Sequence, residues 1–301
     1  MRPEDCPTIY VTGGLGFVGS NLVHALNRHG FFNIVIVDDF INQHNFIPRY
    51  LCGAKYSGVI NIESFKNFAC HNSNERYLFH LGANSSTNIS FAEAMQNFQF
   101  DRYVCDHFIA KTLFASSASI FGNSKSIAPV NNYGLAKSWS HKIFSEKENS
   151  ISAILYNVYG PRELHKGNMA SFQSKIVKEI LDRDYFCGSV YTGSGHRDFV
   201  HVDDVCEEMI YLMQNVDNGP HHIGTGFSRS FEEVAGISEK VAEKYGKRVS
   251  FERKPFKGSH LDKFGYQKFT KAYPRDALKY RSLETGISDL WEYYFGETVD
   301  S

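Results

Sequence analysis

The sequence predicts an α/β protein, built on a doubly wound parallel sheet with a smaller C-terminal α/β lobe. Apolar runs bounded by turn residues alternate with helical patterns through the first half of the chain, which is the pattern of a parallel sheet covered by helices on both faces. The 301 residues are enough for one large unit or two interlocked domains. Hydrophobic residues make up 42% of the chain and charged residues 22%, so we expect a globular protein.

The predicted elements follow one another as strand and helix. The run TIYVT is the first strand, and a helix over about 17–29, closed by Gly30, follows it. The next strands in order are NIVIVD, RYLFHLGA, KTLFASS and ISAILYNV. After Pro161 the pattern loosens into helices at about 168–183, 203–215 and 230–245, separated by the runs RDFVHV and HHIGTG.

Charge and composition exclude several classes of partner. The 32 Lys and Arg residues balance 33 Asp and Glu residues, a formal net charge of −1, so we expect neither nucleic acid nor a membrane surface as a partner. We find no leader pattern and no run of 18 apolar residues, and we expect a cytoplasmic protein. The six cysteines include no C-x-x-C pair and are expected to be reduced thiols. No metal site is expected, because the adjacent His221 and His222 should point to opposite faces of a strand.

A glycine-rich segment, TGGLGFVGSN, lies between the first strand and the first helix. Gly13, Gly16 and Gly19 have the spacing G-x-x-G-x-x-G. Glycine lets a backbone turn tightly and approach a diphosphate, whose charge can then bind the free N–H groups of the helix N-terminus. The segment therefore predicts a dinucleotide site on a Rossmann-type sheet.

Two carboxylates end the second predicted strand. Asp38 lies 38 − 19 = 19 residues after Gly19, near the spacing expected for a contact with a ribose, and Asp39 follows it. Carboxylates at this position suit the 2′-hydroxyl of NAD and repel the 2′-phosphate of NADP. On this prediction residues 1–158, with returning elements at about 198–225, form the NAD(P)-binding domain, and residues 159–197 and 226–301 form the substrate-binding lobe.

A tyrosine and a lysine in NNYGLAKSWS have helical spacing. Tyr133 and Lys137 are four residues apart, hence one turn apart on one helix face. A nearby ammonium favours the phenolate form, so Tyr133 could accept a proton from a sugar hydroxyl as a hydride leaves. Ser117 ends the run KTLFASS, at the carboxyl edge of the sheet, where open α/β folds bind ligands.

These motifs, in this order, resemble the extended short-chain dehydrogenase/reductases of the nucleotide-sugar epimerase/dehydratase group. Within that group the chain is most similar to the ADP-L-glycero-D-manno-heptose 6-epimerase family. The similar segments are TGGLGFVGSN, FHLGANSST, NVYGPRELHKGNMAS, RDFVHVDDV and GYQKFT. The most specific part is His165-Lys166-Gly167 with Met169-Ala170-Ser171.

The resemblance implies a reaction and a set of site residues. The reaction would oxidise one sugar carbon and reduce it again from its other face, with one bound NADP or NAD per subunit and no net redox change. Tyr133 would serve one face of the carbon and Lys166 the other, with Ser117 polarising the oxygen. The residues expected to bind the cofactor are Gly13, Gly16, Phe17, Val18, Gly19, Asp38, Asp39, Asn61, Leu81, Gly82, Ala83, Asn97, Tyr133 and Lys137. Those expected to bind the substrate are Ser117, Asn157, Lys166, Ser171, Arg197 and Tyr266.

The implied substrate is a nucleotide sugar, ADP-heptose for this family, and a homo-oligomer is expected. The chain departs from the family's pattern in three places: the segment between Gly122 and Tyr133 is shorter, Phe121 replaces a tyrosine, and Asn45 stands where a lysine for NADP is usual. Family resemblance thus favours NADP, whereas the Asp38-Asp39 pair favours NAD.

Three other functions are possible on the same motifs. A 4-epimerase or 4-reductase of nucleotide hexoses needs only Ser117, Tyr133 and Lys137, and would leave Lys166 without a role. A dehydratase is disfavoured, because Ala118-Ser119 lacks the required acid pair. A non-catalytic NAD(P)-binding regulator is the alternative from another class, and the intact Ser, Tyr and Lys argue against it.

Overall fold

The computed structural model describes residues 7–39, 47–69, 76–122, 124–193, 195–256 and 280–296. Its strands, in chain order, are β1 (Thr8–Thr12), β2 (Ile34–Val37), β3 (Gly58–Ile60), β4 (Arg76–His80), β5 (Lys111–Ser117), β6 (Ser150–Leu155), β7 (Asn157–Tyr159), β8 (Tyr185–Thr192), β9 (His196–Arg197), β10 (Phe199–His201), β11 (Gly219–Ile223), β12 (Arg229–Ser230) and β13 (Arg248–Pro255). Its α-helices are α1 (Phe17–Arg28), α2 (Ile47–Tyr50), α3 (Ile62–Ala69), α4 (Phe91–His107), α5 (Asn132–Glu146), α6 (Phe172–Arg183), α7 (Val202–Asn215), α8 (Phe231–Lys244) and α9 (Leu283–Phe295).

Seven strands form one sheet in the order β11-β6-β5-β4-β1-β2-β3. Every pairing in this sheet is parallel. From β1 the chain runs outward to β3 and then returns to β4 on the other side, so the strand order reverses between β1 and β4. In open α/β sheets such a switch point is where ligands bind, outside the carboxyl ends of the strands. The predicted α/β fold with a doubly wound parallel sheet is confirmed.

The described residues form two compact units. The first lies within 1–121, 126–155 and 205–223, and the second within 122–125, 156–204 and 224–301. The first unit contains the seven-stranded sheet. The sequence predicts a first domain of 1–158 with returning elements at about 198–225, and of these residues 122–125, 156–158, 198–204 and 224–225 lie in the second unit. Which unit binds which ligand stays a prediction at this point.

Aromatic side chains fill much of the core on one face of the large sheet. A cluster there combines Tyr10 from β1 and Leu78 from β4 with Phe65, Phe114 and Phe144. The rings of Phe114 and Phe144 stack with their centroids 4.4 Å apart, which packs α5 against β5. Because these side chains are fully or almost fully buried, they hold α5 against the sheet.

The second unit has a core of its own. Helices α6, α8 and α9 contribute Val177, Val234 and Trp291 to it, and the parallel pair of β8 and β13 contributes Val190 and Phe251. Helix α8 begins with a capping box, in which Ser230 and Glu233 each accept from the other's backbone N–H. These contacts give the second unit a hydrophobic centre independent of the large sheet.

Several predicted element boundaries were wrong, and the run RDFVHV, predicted as one strand, is divided between β9 and β10, which pair with different strands. The run ISAILYNV is not one strand: β6 ends at Leu155, and β7 pairs with β10 instead of continuing in the large sheet. The helix predicted from 168 begins at Phe172, since Ser171 caps it and a short 3₁₀ helix occupies Leu164–Met169. Pairing of β7 with β10 ended the predicted ISAILYNV strand early, whereas the local Ser171 cap set the start of α6.

Candidate active site

The glycine segment forms a tight loop between β1 and α1. Gly13 has a φ of +67°, and its carbonyl accepts the Gly16 N–H at 3.0 Å. A Cβ on Gly19 would lie 2.1 Å from that same carbonyl oxygen, so no other residue fits there without a shift of the backbone. The three glycines of the predicted motif thus lie close together at the carboxyl end of β1.

The N-terminus of α1 suits a diphosphate. Gly16 is its N-cap and supplies no side-chain cap, and the first turn carries no acidic residue. The backbone N–H groups of Phe17, Val18 and Gly19 belong to this first turn, and the helix dipole favours an anion beside them. The residues present therefore fit the diphosphate of a dinucleotide.

Asp38 shapes the glycine loop directly. Its Oδ2 accepts the Leu15 N–H at 3.0 Å and its Oδ1 accepts the Asp39 N–H at 3.0 Å, while the residue is buried. The neighbouring Asp39 is exposed. Two carboxylates at the end of β2 make this corner of the loop unfavourable for the 2′-phosphate that distinguishes NADP from NAD.

The ends of β1 and β4 are bound to each other by Thr12. Its Oγ1 accepts the N–H groups of Leu81 and Gly82, both at 3.0 Å. The glycines meet there as well, since a Cβ on Gly13 would lie 2.8 Å from the Cα of Gly82. The predicted cofactor residues Leu81, Gly82 and the adjoining Ala83 thus lie at the switch point of the sheet.

Two predicted cofactor asparagines make local hydrogen bonds. Asn61 follows β3, and its Oδ1 accepts the Ser64 N–H at 2.7 Å at the start of α3. Asn97, on α4, both donates to and accepts from the backbone of Asn84 at 2.9 Å. Each asparagine therefore stabilises a loop at the carboxyl edge of the sheet.

Ser117 and Tyr133 lie on neighbouring elements of the first unit. Ser117 ends β5, and its Oγ accepts the hydroxyl of Ser119 at 2.9 Å. A Cβ on Gly134 would lie 2.7 Å from the Ser119 carbonyl, so the start of α5 presses closely on the turn after β5. Tyr133, one residue earlier, is partly buried against Ile89 and other apolar residues. The sheet edge therefore carries the serine and the tyrosine on closely packed segments.

Lys137 lies one turn after Tyr133 and points into the interior. It is 2% exposed, and its Nζ donates to the Ala115 carbonyl at 3.1 Å. The ammonium also lies 4.4 Å from the centre of the Phe114 ring and 3.6 Å from Oδ2 of Asp101. A buried ammonium requires such partners, because burial without them disfavours its charge.

In the second unit, Glu163 organises the segment that contains Lys166. The Glu163 side chain is 1% exposed and lies 3.4 Å from the Lys166 ammonium. It also accepts the N–H of Ser171 at 3.0 Å, the hydroxyl of Ser171 at 2.6 Å and the hydroxyl of Ser174 at 2.7 Å. One carboxylate thus orients the predicted acid/base lysine and the predicted substrate residue Ser171, which caps α6 at the same time.

The other bases of this segment have different surroundings. Arg162 has a φ of +67°, its N–H donates to the Tyr294 hydroxyl at 3.2 Å, and its guanidinium lies 5.2 Å from the Tyr293 ring. Burial lowers the pKa of His165, and the Lys166 charge lowers it further. Arg162 therefore holds the turn, and the neutral form of His165 is favoured.

Two more predicted substrate residues, Asn157 and Arg197, lie on strands of the second unit. Asn157 begins β7, and its N–H donates to the Asp198 carbonyl at 3.0 Å. Arg197, on β9, donates to the His196 carbonyl at 2.8 Å and lies 6.0 Å from the Phe231 ring. Burial lowers the pKa of the Arg197 guanidinium. Tyr266 and Asn45 lie outside the described residues.

Sequence reasoning missed three buried polar residues of these units, namely Glu163, His80 and Asp101. All three are at most 1% exposed. Glu163 stands three residues before Lys166, an i,i+3 spacing that could have indicated the pair. Asp101 and His80 had no such local signal, because they come from α4 and β4 and meet only in the folded chain.

Neither a metal centre nor a membrane span was found in the described part of the chain. No group of three or more His, Cys, Asp or Glu residues there could hold an ion. None of the described helices is long and apolar enough to cross a membrane.

Comparison with known proteins extends this picture. Residues 9–226 match the NAD dependent epimerase/dehydratase family. The chain is 33% identical to an ADP-L-glycero-D-manno-heptose-6-epimerase of Brachyspira hyodysenteriae over 294 residues, covering 88% of each chain.

Solved structures show the same fold. An ADP-L-glycero-D-manno-heptose-6-epimerase of Helicobacter pylori superposes with a TM-score of 0.73 at 25% identity, over 97% of each chain. A UDP-glucose 4-epimerase of Thermotoga maritima superposes with a TM-score of 0.75 at 24% identity, over 95% of this chain and 98% of that one. Heptose epimerases and 4-epimerases are therefore equally near in structure. With its dinucleotide loop and the extent of these matches, the chain is an enzyme that belongs to the NAD-dependent epimerase/dehydratase family of nucleotide-sugar epimerases and their relatives.

Proposed function

We propose that the chain is an ADP-glyceromanno-heptose 6-epimerase. The observation that carries this proposal is the Lys166 segment, which a 4-epimerase does not need. Its ammonium is held 3.4 Å from the buried Glu163 carboxylate, in a sequence similar to that of the heptose epimerases. An elaborate support for one partly exposed lysine is expected where that lysine takes part in chemistry.

The proposed roles of the residues follow from their chemistry. Bound NAD(P) supplies the chemistry of hydride transfer from and to the sugar carbon. Tyr133, as phenolate, takes the proton of the sugar hydroxyl while Ser117 donates a hydrogen bond to that oxygen. Once the resulting ketone presents its other face, the same hydride would return to that carbon and Lys166 would donate a proton to the carbonyl oxygen, which leaves the carbon inverted and the net redox change zero. Proton exchange with solvent returns Tyr133 and Lys166 to their starting forms.

The two units have separate roles in this proposal. The first unit binds the dinucleotide through Gly13, Gly16 and the start of α1. The second unit binds the nucleotide sugar through Asn157, Ser171, Arg197 and Tyr266, since the fork of an arginine suits a diphosphate. We infer NAD as the preferred cofactor, because the carboxylates at the end of β2 disfavour the 2′-phosphate of NADP.

One experiment separates this function from its rival. Purified protein is incubated with ADP-D-glycero-D-manno-heptose and, separately, with UDP-galactose, and the configuration of each sugar is followed by NMR. Inversion at C6 of the heptose with an unchanged galactose supports the proposal. Inversion at C4 of the galactose alone would identify a 4-epimerase, and an unchanged sugar in both reactions would overturn both functions.

A further inference from the structure

A line of four buried polar side chains runs from β1 to the catalytic helix. The Thr12 hydroxyl lies 2.7 Å from Nδ1 of His80, and Nε2 of His80 lies 3.0 Å from Oδ1 of Asp101. Oδ2 of Asp101 lies 3.6 Å from Nζ of Lys137. All four residues are at most 2% exposed, so these contacts are shielded from solvent.

Hydrogen-bond accounting assigns the direction of this line. Oγ1 of Thr12 already accepts two backbone N–H groups, those of Leu81 and Gly82, so its own hydrogen is available to donate to Nδ1 of His80. The His80 hydrogen is then on Nε2 and is donated to Asp101. The hydrogen bond from His80, which Thr12 holds in turn, thereby orients the Asp101 carboxylate so that its Oδ2 faces Lys137.

The charges around Asp101 favour its ionised form. Burial acts to raise the pKa of Asp101, but the Lys137 ammonium and the hydrogen bond from His80 outweigh burial and hold the pKa below its ordinary value. On α4 itself, burial raises the pKa of the Cys105 thiol, and the Asp101 charge adds to that effect. Asp101 on α4 and Lys137 on α5 therefore form a buried pair of opposite charges.

A purely structural account of this pair is weak. Buried ion pairs contribute little to stability on balance, because desolvation offsets much of their attraction. Lys137 is also the residue whose charge is expected to favour the phenolate of Tyr133, one turn away. The Asp101 carboxylate beside Lys137 therefore stabilises the positive charge that is expected to favour the Tyr133 phenolate.

We propose that Asp101 is a positioning residue, which, oriented by His80, keeps the Lys137 ammonium charged and in place on the inner side of α5. This inference rests on the proposed function, in which Lys137 supports Tyr133. Without the Asp101 charge, the remaining partners of the ammonium are the Ala115 carbonyl and the Phe114 ring. The buried ammonium then lacks its only carboxylate partner among these contacts, so its charge beside Tyr133 is less favoured.

The variant Asp101→Asn tests the inference, because it keeps the shape and removes the charge. We expect the acidic limb of its kcat/KM profile to move by about one unit toward higher pH, with kcat at pH 7 about tenfold lower. Asp101→Glu, which keeps the charge, should keep the limb near that of the parent protein even if its melting temperature falls. An unmoved limb in Asp101→Asn, or a limb moved to lower pH, would overturn the inference.

A second readout does not require turnover. In protein labelled with 13C-lysine, the Cε resonance of Lys137 is assigned by its loss in Lys137→Met and followed between pH 6 and 10. We expect it to begin titrating at lower pH in Asp101→Asn than in the parent. Should Asp101→Asn fail to fold, Asp101→Ser removes the same charge and is measured in its place.

The two readouts distinguish the possible failures. An inactive parent protein whose Lys137 resonance still shifts in Asp101→Asn would refute the proposed function and support the pairing of Asp101 with Lys137. An active parent protein whose Lys137 resonance titrates identically in both proteins would refute the inference and leave the proposed function standing.

Discussion

Gly13 and Gly82 meet backbone against backbone where β1 and β4 end, so closely that a Cβ on Gly13 would lie 2.8 Å from the Cα of Gly82. This contact packs the glycine-rich loop against the end of β4 at the switch point of the sheet. The space above the loop is bounded by the N-terminus of α1. Substitutions in the loop should therefore separate residues that hold the fold from those that we propose face the cofactor.

Gly16→Val should weaken NAD binding and spare the fold. A Cβ at this position meets the Gly13 carbonyl at 3.2 Å, a tight contact that needs a backbone shift of a few tenths of an ångström, and the side chain occupies the helix N-terminus. We expect at least about a tenfold loss of affinity, or about 1.4 kcal/mol, by calorimetric titration. The matched control is Gly58→Val on β3, where a Cβ has no neighbour within 4 Å. Equal affinities in the two variants would mean that the loop does not bind the diphosphate.

Tyr133→Phe should remove most turnover and leave NAD affinity close to that of the parent protein. The substitution deletes only the ionisable oxygen and keeps the ring that packs against Ile89. The expected loss in kcat is about 10²–10⁴-fold, the usual contribution of a general acid/base group. Turnover within a few-fold of the parent protein would exclude Tyr133 as the base.

Lys166→Met should separate the two halves of the reaction. Because Tyr133 is untouched, the variant should still exchange hydride with a substrate analogue on one face, but it should fail to invert the carbon. Inversion and single-face redox are measured separately, by NMR and by absorbance of the reduced cofactor. A raised KM with an intact kcat would instead indicate a lysine that only binds substrate, as expected for a 4-epimerase.

Glu163→Gln should reproduce part of that loss through Lys166. The variant keeps the size of the side chain but removes the charge that orients the ammonium and accepts from Ser171 and Ser174. We expect slower inversion with less effect on single-face redox, together with a lower melting temperature from the disturbed α6 cap. Glu179→Gln on α6, a partly exposed carboxylate paired with Arg183, is the control. Parallel loss of both half-reactions would show that Glu163 acts on the fold alone.

His222 should make the protein less stable in mild acid. Burial, with the nearby charges of His141 and His221, lowers the pKa of His222 from 6.5 to about 4. Between pH 6.5 and 4 the unfolded chain therefore binds a proton that the folded chain does not, so the free energy of unfolding falls as the pH falls through this window. After discounting for its partial exposure, the effect is about 1–2 kcal/mol.

His222→Gln should flatten this pH dependence. The free energy of unfolding is measured by urea titration at pH 7.5 and at pH 4.5 for both proteins. At pH 7.5 the two should differ through the contacts that His222 loses, among them its stacking on Phe121 with ring centroids 5.8 Å apart. If the variant loses as much stability as the parent protein between these pH values, other groups carry the acid sensitivity.

The sequence by itself determined those features that are local in the chain. The loop between β1 and α1 follows from three glycines, because only glycine accepts the backbone contacts at Gly13 and Gly19. The parallel sheet follows from short apolar runs separated by helical patterns. Tyr133 and Lys137 share a helix face because residues four apart always do.

The tertiary structure alone decided which polar residues are buried and what they contact. In the sequence, Asp101 reads as one more charge on a helix, and Glu163 as part of a polar turn. Folding places the first beside His80 and Lys137, and the second beneath Lys166 and Ser171. The partners of Asp101 come from different elements, whereas Glu163 lies only three residues before Lys166, and a charge is tolerated in the interior only where such partners meet. The periodic pattern of apolar residues in a helix or strand carries no information about which residues of other elements it will contact.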